Sequence, residues 1–141
     1  MTKSENIVIP EGFKTLSTPV RAEDNIGPFY YRKTDAGLTL GFYTEDKHSN
    51  AIGSVHGGVL TVFADYAATM VALSGVKENC ATVSLTCDFI GAARLGNWIE
   101  AQGEVSGRTG SMTFVSGKLT VMNNVIVSFQ AVMRRLQKTK T

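Results

Sequence analysis

The 141-residue sequence has little of what marks several other classes of protein: it holds two cysteines, three prolines and one tryptophan. Cys80 and Cys87 are seven positions apart within one predicted strand. Because side chains alternate along a strand, an odd separation directs the two thiols to opposite faces. We therefore predict no disulfide between them. No Cys/His spacing typical of a metal site is present, so we predict no metal centre.

Long apolar runs are also missing. No segment reaches the roughly 18 consecutive apolar residues that a membrane-spanning helix needs. Residues 1–6 are mostly polar and lack the apolar core of a secretory signal peptide. The sequence therefore predicts a protein without a membrane span, located in the cytoplasm and with reduced thiols.

A strong charge of either sign is absent too. The formal net charge is +2, from 14 basic and 12 acidic residues. Four basic residues lie within the last eight positions, which leaves the rest of the chain slightly acidic; they are Arg134, Arg135, Lys138 and Lys140. A basic surface for nucleic acid is therefore not indicated, and we interpret residues 137–141 as a solvated basic tail.

What the sequence does contain is an ordinary balance of 43% apolar and 18% charged residues, in a length typical of one domain. We predict an arm over residues 1–26, with a short helical turn near residues 20–24, followed by a domain over residues 27–136. The predicted elements of the domain are strands Phe29–Arg32 and Leu38–Tyr43, a helix from Gly57 to about Gly75, and strands Ala81–Ile90, Trp98–Val105, Met112–Met122 and Val125–Met133. A tight turn at Asn123–Asn124 joins the last two strands. The pattern predicts an α+β fold, with one curved antiparallel sheet of about six strands against one long central helix.

The predicted helix is apolar around nearly its whole circumference, so it must be covered on almost every side. One sheet is able to wrap the helix, but the edges of the sheet then stay open. The sequence therefore predicts a homo-oligomer, most simply a two-fold dimer that joins edge strands.

A short motif marks the start of this helix: Asn50, then His56-Gly57-Gly58, with Asp65 two turns further on. Two glycines at a helix start leave backbone N–H groups open to an incoming oxygen. A carboxylate in an otherwise apolar stretch is a candidate nucleophile or base. Together they supply the minimum for acyl-transfer chemistry, which is a group that polarises the carbonyl and a group that attacks it.

On a helical wheel, Asp65 shares a stripe with small or hydroxylic residues, namely Thr61, Ala68, Thr69 and Ala72. We therefore predict a narrow groove beside the carboxylate in which a ligand chain lies. Each motif residue also has a purely structural interpretation. Asp65 would bond a buried partner, His56 would bond the loop backbone, and Asn50 would be a turn residue.

The motif, the acid on the helix and the four long strands after it resemble the hotdog-fold acyl-CoA thioesterases, and among these the PaaI-like branch of the 4-hydroxybenzoyl-CoA thioesterase superfamily. The resemblance extends from about Gly27 to Leu136. It implies a hotdog fold and the hydrolysis of an acyl or aryl thioester to the free acid and coenzyme A. Coenzyme A is then part of the substrate, and no separate cofactor is implied.

The resemblance also implies a role for each matching residue. Asp65 is the nucleophile or general base, and the Gly57 N–H polarises the thioester carbonyl. Asn50 helps to place the attacking water or the carbonyl, and His56 lies near the thioester sulfur. Thr82 supports the water from the neighbouring subunit, which implies an active site at the subunit interface of a dimer or a dimer of dimers.

Further matching positions are implied to bind the substrate and its coenzyme A; they are Gly58, Ser84, Phe89, Arg108, Thr109, Gly110 and Ser111. The turn from Arg108 to Ser111 offers a guanidinium, exposed N–H groups and two hydroxyls, which suit phosphates. The same composition equally suits a solvated turn.

Two other functions stay open at this point. A hotdog module that binds acyl-CoA without turnover would need neither Asp65 nor the Gly57 N–H as reacting groups. A hotdog dehydratase or hydratase is expected to use a histidine base, and His48 and His56 are the two histidines. The intact set of Asp65, Gly57 and Asn50 favours the hydrolase.

Overall fold

One long helix packed against one antiparallel sheet is the architecture of the computed structural model, which describes residues 7–16 and 20–136. The elements in chain order are β1 (Lys14–Thr15), α1 (Arg21–Ile26), β2 (Tyr30–Thr34), β3 (Gly37–Tyr43), a 3₁₀ turn (Asp46–His48), α2 (Gly57–Leu73), β4 (Asn79–Phe89), β5 (Trp98–Arg108), β6 (Met112–Val121) and β7 (Asn124–Leu136). Neighbouring strands pair antiparallel in the order β1-β2-β3-β5-β6-β7-β4. The predicted α+β arrangement of a sheet against one helix is confirmed.

The sheet has seven strands, one more than predicted. The additional strand, β1, pairs through Lys14 and Thr15 with Tyr31 and Tyr30 of β2. A strand of two residues carries no alternation of polar and apolar side chains, so no sequence pattern reveals it. The other strands lie within three residues of their predicted ends, and the predicted helical turn is α1.

The helix α2 forms the centre of the core because its apolar and small side chains face the sheet. Phe63 and Ala67, for example, are 0% exposed. Close packing against the sheet requires glycine at one paired position, where Gly117 of β6 lies opposite Gly103 of β5. A Cβ on Gly117 would stand 2.4 Å from the Phe129 ring, so a larger residue would displace part of the core.

The predicted hairpin of β6 and β7 is present, but its turn is centred one residue earlier than Asn123–Asn124. Met122 and Asn123 have positive φ angles of 47° and 67°, and Val121 pairs with Asn124. Positive φ at both central residues is the type I′ conformation, whose twist matches that of the flanking strands. Asn124 therefore belongs to β7 rather than to the turn.

A β-bulge changes which residues of β4 face the helix. The pairing with β7 shifts between Thr82 and Ser84, so Val83 is an extra residue, and it is 55% exposed. Cys80 precedes the bulge and Cys87 follows it, yet both pack against the core. The prediction that the two thiols point to opposite faces is therefore wrong, because the bulge reverses the alternation between them. Both cysteines are free thiols.

The strand β4 ends the sheet on one side, where it pairs with β7 alone among the described strands. Most of its residues are exposed, including the large apolar side chains of Val83 and Phe89 at 55% and 53%. An open strand edge that carries apolar side chains is suited to pairing with another chain. We call this surface the β4 edge.

Residues near the N-terminus pack on the outer face of the sheet. The Phe13 ring packs edge-on against the Trp98 ring, with 5.0 Å between centroids, and the Arg32 guanidinium lies 4.4 Å from the Phe13 centroid. The Tyr43 hydroxyl donates to the Val8 carbonyl. These contacts tie the described part of the predicted arm to β2, β3 and β5.

The predicted division into an arm over 1–26 and a domain over 27–136 stays a prediction. The basic tail over 137–141 lies outside the described residues. Across the ranges that the structure describes, no helix is long and apolar enough to cross a membrane.

Candidate active site

One backbone N–H at the N-terminus of α2 has no hydrogen-bond partner among the residues that the structure describes. His56 is the N-cap residue, and its Nδ1 accepts the Gly58 N–H at 2.8 Å. The His56 carbonyl accepts the N–H groups of Val59 and Leu60 at 3.0 and 3.3 Å. Of the first four N–H groups of the helix, that of Gly57 alone has no partner among the described residues. It is therefore available, at the positive end of the helix, to an incoming carbonyl oxygen.

Each glycine of the motif has its own physical reason. A Cβ on Gly58 would stand 2.9 Å from His56 Nδ1, so a side chain there would displace the capping ring. A Cβ on Gly57 would stand 3.5 Å from the Phe89 ring, which is an ordinary contact. A neutral His56 that accepts at Nδ1 carries its proton on Nε2. The N–H of Gly58, a predicted substrate contact, thus bonds to His56, and no described residue bonds to the remaining ring donor of His56.

Asp65 is held by a hydrogen bond from β4. The Thr82 hydroxyl donates to Asp65 Oδ1 at 2.6 Å, while Oδ2 has no hydrogen-bond partner among the described residues. One carboxylate oxygen is thus fixed and the other is left to attack or to take a proton. The resemblance implied that Thr82 reaches in from the neighbouring subunit. In the structure the contact forms within one chain, because β4 packs along the same side of α2.

Two half-buried thiols share this face of β4 with Thr82. Burial raises the pKa of Cys80, and the negative charge of Asp65 raises it further. Burial also raises the pKa of Cys87, against a lowering by a hydrogen bond from Thr61. Both thiols therefore stay protonated near pH 7, and a protonated thiol is a poor nucleophile. Asp65 is left as the candidate nucleophile or base.

The stripe of small residues beside Asp65 packs against the sheet. Ala68 is 0% and Ala72 is 1% exposed. A single chain therefore does not form the predicted narrow groove at these two positions. Their small side chains serve instead to let the sheet approach the helix closely.

Asn50 closes a turn of its own loop. Its Oδ1 accepts the N–H groups of Ile52 and Ser54, both at 3.0 Å, and its Nδ2 donates to the Ser54 hydroxyl at 2.7 Å. Gly53 completes the turn with a φ of 82°, a conformation that favours glycine. The turn interpretation of Asn50 is confirmed, and among the described residues its side chain bonds within this turn rather than to Asp65 or Gly57.

Arg108 is engaged at the far end of α2. Its guanidinium donates to the Ala72 carbonyl at 2.9 Å, within the last turn of the helix. A cation there satisfies an otherwise unpaired carbonyl and interacts favourably with the helix dipole. The Thr109 hydroxyl accepts the N–H groups of Ser111 and Met112, at 3.3 and 3.0 Å. The structure thus shows a structural role for Arg108 and a self-bonded turn after it.

Phe89 and Ser84, two further positions expected to contact coenzyme A, lie in different surroundings. Phe89 lies against Gly57, at the start of α2. Ser84 follows the bulge and is exposed, and its neighbour Leu85 is the residue that packs against the core. Ser84 therefore lies on the face of β4 opposite to Thr82 and Asp65.

Sequence reasoning missed His48, which is 1% exposed although it belongs to a polar loop. Its sequence neighbours are Asp46, Lys47, Ser49 and Asn50, so no hydrophobic pattern indicates burial. Within residues 7–16 and 20–136, no group of three or more His, Cys, Asp or Glu side chains is placed to hold a metal ion.

The described site combines a free N–H at a helix start with a carboxylate, held by a hydroxyl, two turns further along the same helix. The helix is covered by one antiparallel sheet with an open edge. This fold and this site together define the class of hotdog-fold thioester hydrolases.

Sequence comparison identifies the family. The profile of the thioesterase superfamily matches residues 52–125, from the loop before α2 to the start of β7. A candidate esterase of Pseudomonas aeruginosa is 32% identical over 127 residues, which are 88% of this chain and 95% of that protein. The chain belongs to the thioesterase superfamily and is a thioester hydrolase.

Solved structures share the fold. A candidate thioesterase related to phenylacetic acid degradation, from Ralstonia eutropha JMP134, has a TM-score of 0.74 at 21% identity and is matched over 83% of this chain and 92% of that chain. A thioesterase-like protein of Streptococcus pneumoniae TIGR4, solved with coenzyme A, has a TM-score of 0.72 at 16% identity, over 79% and 88% of the two chains. The predicted hotdog fold and the resemblance to PaaI-like proteins are confirmed.

Proposed function

We propose that the protein hydrolyses acyl or aryl thioesters of coenzyme A to the free acid and coenzyme A. The observation that carries this proposal is the free Gly57 N–H combined with the Thr82-held carboxylate of Asp65, in a family of thioester hydrolases. The Gly57 N–H stabilises the negative charge that develops on the thioester oxygen. Asp65 either deprotonates the water that attacks the carbonyl carbon, or attacks that carbon itself to form a mixed anhydride that water then hydrolyses. In both routes a C–O bond replaces the C–S bond, and the departing thiolate takes up the proton that the water gives up. His56 Nε2–H is the hydrogen-bond donor that we assign to the departing thiolate, and the ring keeps its proton because its Nδ1 accepts the Gly58 N–H.

The active site of this proposal needs two copies of the chain. Gly57 and Asp65 are eight residues apart on one helix, which is about 12 Å along its axis. A reacting carbonyl must lie within roughly 3 Å of both the donor and the nucleophile, so one chain does not supply both. A two-fold dimer through the β4 edge would bring Asp65 of one copy towards Gly57 of the other. We therefore propose a homodimer, or a dimer of dimers, with the active site at the interface.

Coenzyme A is the leaving group of the substrate in this proposal, so no separate cofactor is needed. We propose Phe89 as a contact to the substrate, because its ring lies beside Gly57. Arg108 donates to the Ala72 carbonyl at the end of α2, and its contact to coenzyme A stays a prediction. The other positions that stay predicted coenzyme A contacts are Gly58, Ser84, Thr109, Gly110 and Ser111. The cytoplasmic location likewise stays a prediction.

Release of free thiol from a panel of aliphatic and aryl coenzyme A thioesters tests the proposed function. We expect turnover of at least one class, since the site fixes the reaction but not the acyl group. A panel without any release would overturn the enzymatic proposal. Tight binding of an acyl-CoA without turnover would support the alternative, a non-catalytic acyl-CoA-binding module.

Co-expression of two inactive variants tests the shared site. With equal amounts of Asp65→Asn and Gly57→Pro chains, half of the dimers are mixed, and each mixed dimer holds one site with both groups intact. We therefore expect about a quarter of the wild-type rate, although each variant alone is nearly inactive. Activity no higher than that of the two variants measured separately would show that each site lies within one chain.

Removal of the Thr82 hydroxyl tests how Asp65 is held. Thr82→Val keeps the branched shape but leaves Asp65 Oδ1 without its donor, so we expect kcat to fall about tenfold, the usual effect of losing one hydrogen bond to a charged group. Thr82→Ser keeps the hydroxyl and should retain most of the rate. Equal losses in both variants would assign the effect to packing on β4 rather than to the hydrogen bond.

A further inference from the structure

His48 connects the end of α1 with the loop before α2. Its buried ring lies in the 3₁₀ turn Asp46–His48. Nδ1 accepts the Glu45 N–H at 2.8 Å, and Nε2 is hydrogen-bonded to the Ile26 carbonyl at the end of α1. One ring nitrogen thus acts as acceptor and the other as donor. This pair of partners requires a neutral ring that carries its proton on Nε2.

The backbone of His48 continues the connection to the active site. The His48 carbonyl accepts the His56 N–H at 2.8 Å, and the adjacent residues Ser49 and Val55 form an antiparallel bridge. His56 then caps α2 through its carbonyl and its ring, and those bonds leave the Gly57 N–H free. A shift of His48 is therefore transmitted, through one hydrogen bond, to the residue that sets the start of the helix.

A second link joins the same two segments from the solvent side. Lys47 Nζ donates to the Gly27 carbonyl at 2.6 Å, but the Lys47 side chain is 46% exposed. The link through His48 lies in the core, where the Phe42 ring packs edge-on at 5.4 Å. Buried and closely packed groups have less freedom to move than exposed ones, so His48 is the more rigid of the two links.

We propose that His48 is a positioning residue, which holds the loop that directs the Gly57 N–H at the thioester carbonyl. The proposal rests on the proposed function, because the N–H that it positions is the oxyanion donor of that function. A misdirected donor weakens binding of the transition state more than binding of the substrate. His48 is therefore a determinant of kcat rather than of KM.

Two substitutions and a matched control test this role. His48→Leu removes both ring hydrogen bonds with an apolar side chain, and His48→Gln keeps an amide donor within reach of the Ile26 carbonyl. We expect His48→Leu to lower kcat per folded molecule by about 10²-fold, the size associated with small misplacements of reacting groups, with KM nearly unchanged. His48→Gln should regain a large part of that loss. Leu119→Ala, at a fully buried position on β6, should lose stability but keep kcat.

Kinetic results decide the proposal when the protein turns over. A wild-type kcat in His48→Leu, after correction for the folded fraction, would overturn it. So would equal losses in His48→Leu and His48→Gln, since the bond to Ile26 would then not matter. A fall in kcat for Leu119→Ala as large as that for His48→Leu would also contradict it, because lost stability would then explain the effect of His48→Leu.

Nitrogen NMR and amide exchange give a result that does not depend on turnover. We expect the His48 ring to be neutral with its proton on Nε2. The His56 amide should exchange faster with solvent in His48→Leu than in Leu119→Ala. A ring protonated on Nδ1, or an unchanged exchange rate, would contradict the positioning role. If the NMR results are as expected but the wild-type protein hydrolyses no thioester, only the proposed function is overturned.

Discussion

Replacement of Asp65 by asparagine is expected to lower kcat for thioester hydrolysis by about 10²- to 10⁴-fold, the usual contribution of a positioned acid or base. The asparagine amide oxygen is still able to accept the Thr82 hydroxyl, which lies 2.6 Å from Asp65 Oδ1. The substitution therefore removes the charge and the proton affinity and leaves the shape. KM should change little, because the carboxylate acts on the reacting carbon rather than on coenzyme A.

The rate of thiol release at saturating substrate measures this effect. Asp35→Asn makes the same chemical change in the exposed turn between β2 and β3, so it should retain wild-type activity. Undiminished turnover in Asp65→Asn would make Asp65 a structural acid that only bonds Thr82. A single turnover in isotopically labelled water separates the two catalytic roles. Label in the Asp65 carboxylate would identify a nucleophile, and label in the acid product alone favours a general base.

The elements that could be predicted from the sequence are those with local signals. The start of the helix at Gly57, after the N-cap His56, was predictable because two glycines and an apolar stretch follow a polar loop in the sequence. The four long strands were predictable because an antiparallel strand with one buried face alternates polar and apolar residues. The pairing of Gly57 with Asp65 as candidate reacting groups depended on the same local spacing.

The contacts that depend on distant parts of the chain could not be predicted. Nothing in the residues around Val83 distinguishes a bulged strand from a regular one, so the sequence wrongly predicts opposite faces for Cys80 and Cys87. In the sequence, Arg108 resembles a solvated surface cation, because its partner Ala72 at the end of α2 is 36 residues away. His48 has the same difficulty, because its partner Ile26 is 22 residues away in the sequence.

Replacement of Gly57 by proline should lower kcat/KM by about 10²- to 10³-fold, the loss that follows removal of one oxyanion donor. Proline lacks the N–H in question, and it is well tolerated at the first position of a helix. His56, which precedes it, has φ of −61° and ψ of 132°, within the extended region that a residue before proline adopts. The substitution is therefore expected to remove one donor and to preserve the helix.

Gly57→Ala is the control that separates the N–H from the space around it. Alanine keeps the N–H, and its Cβ would stand 3.5 Å from the Phe89 ring, an ordinary contact. We therefore expect Gly57→Ala to retain most of the wild-type rate while Gly57→Pro loses it. Comparable losses of rate in both variants would mean that the space beside Phe89 must be empty for the substrate to bind. Glycine would then be needed at position 57 for its small size and not for its N–H. A loss confined to Gly57→Pro would show that the reaction needs the Gly57 N–H itself, the one donor at the helix start that His56 does not cap.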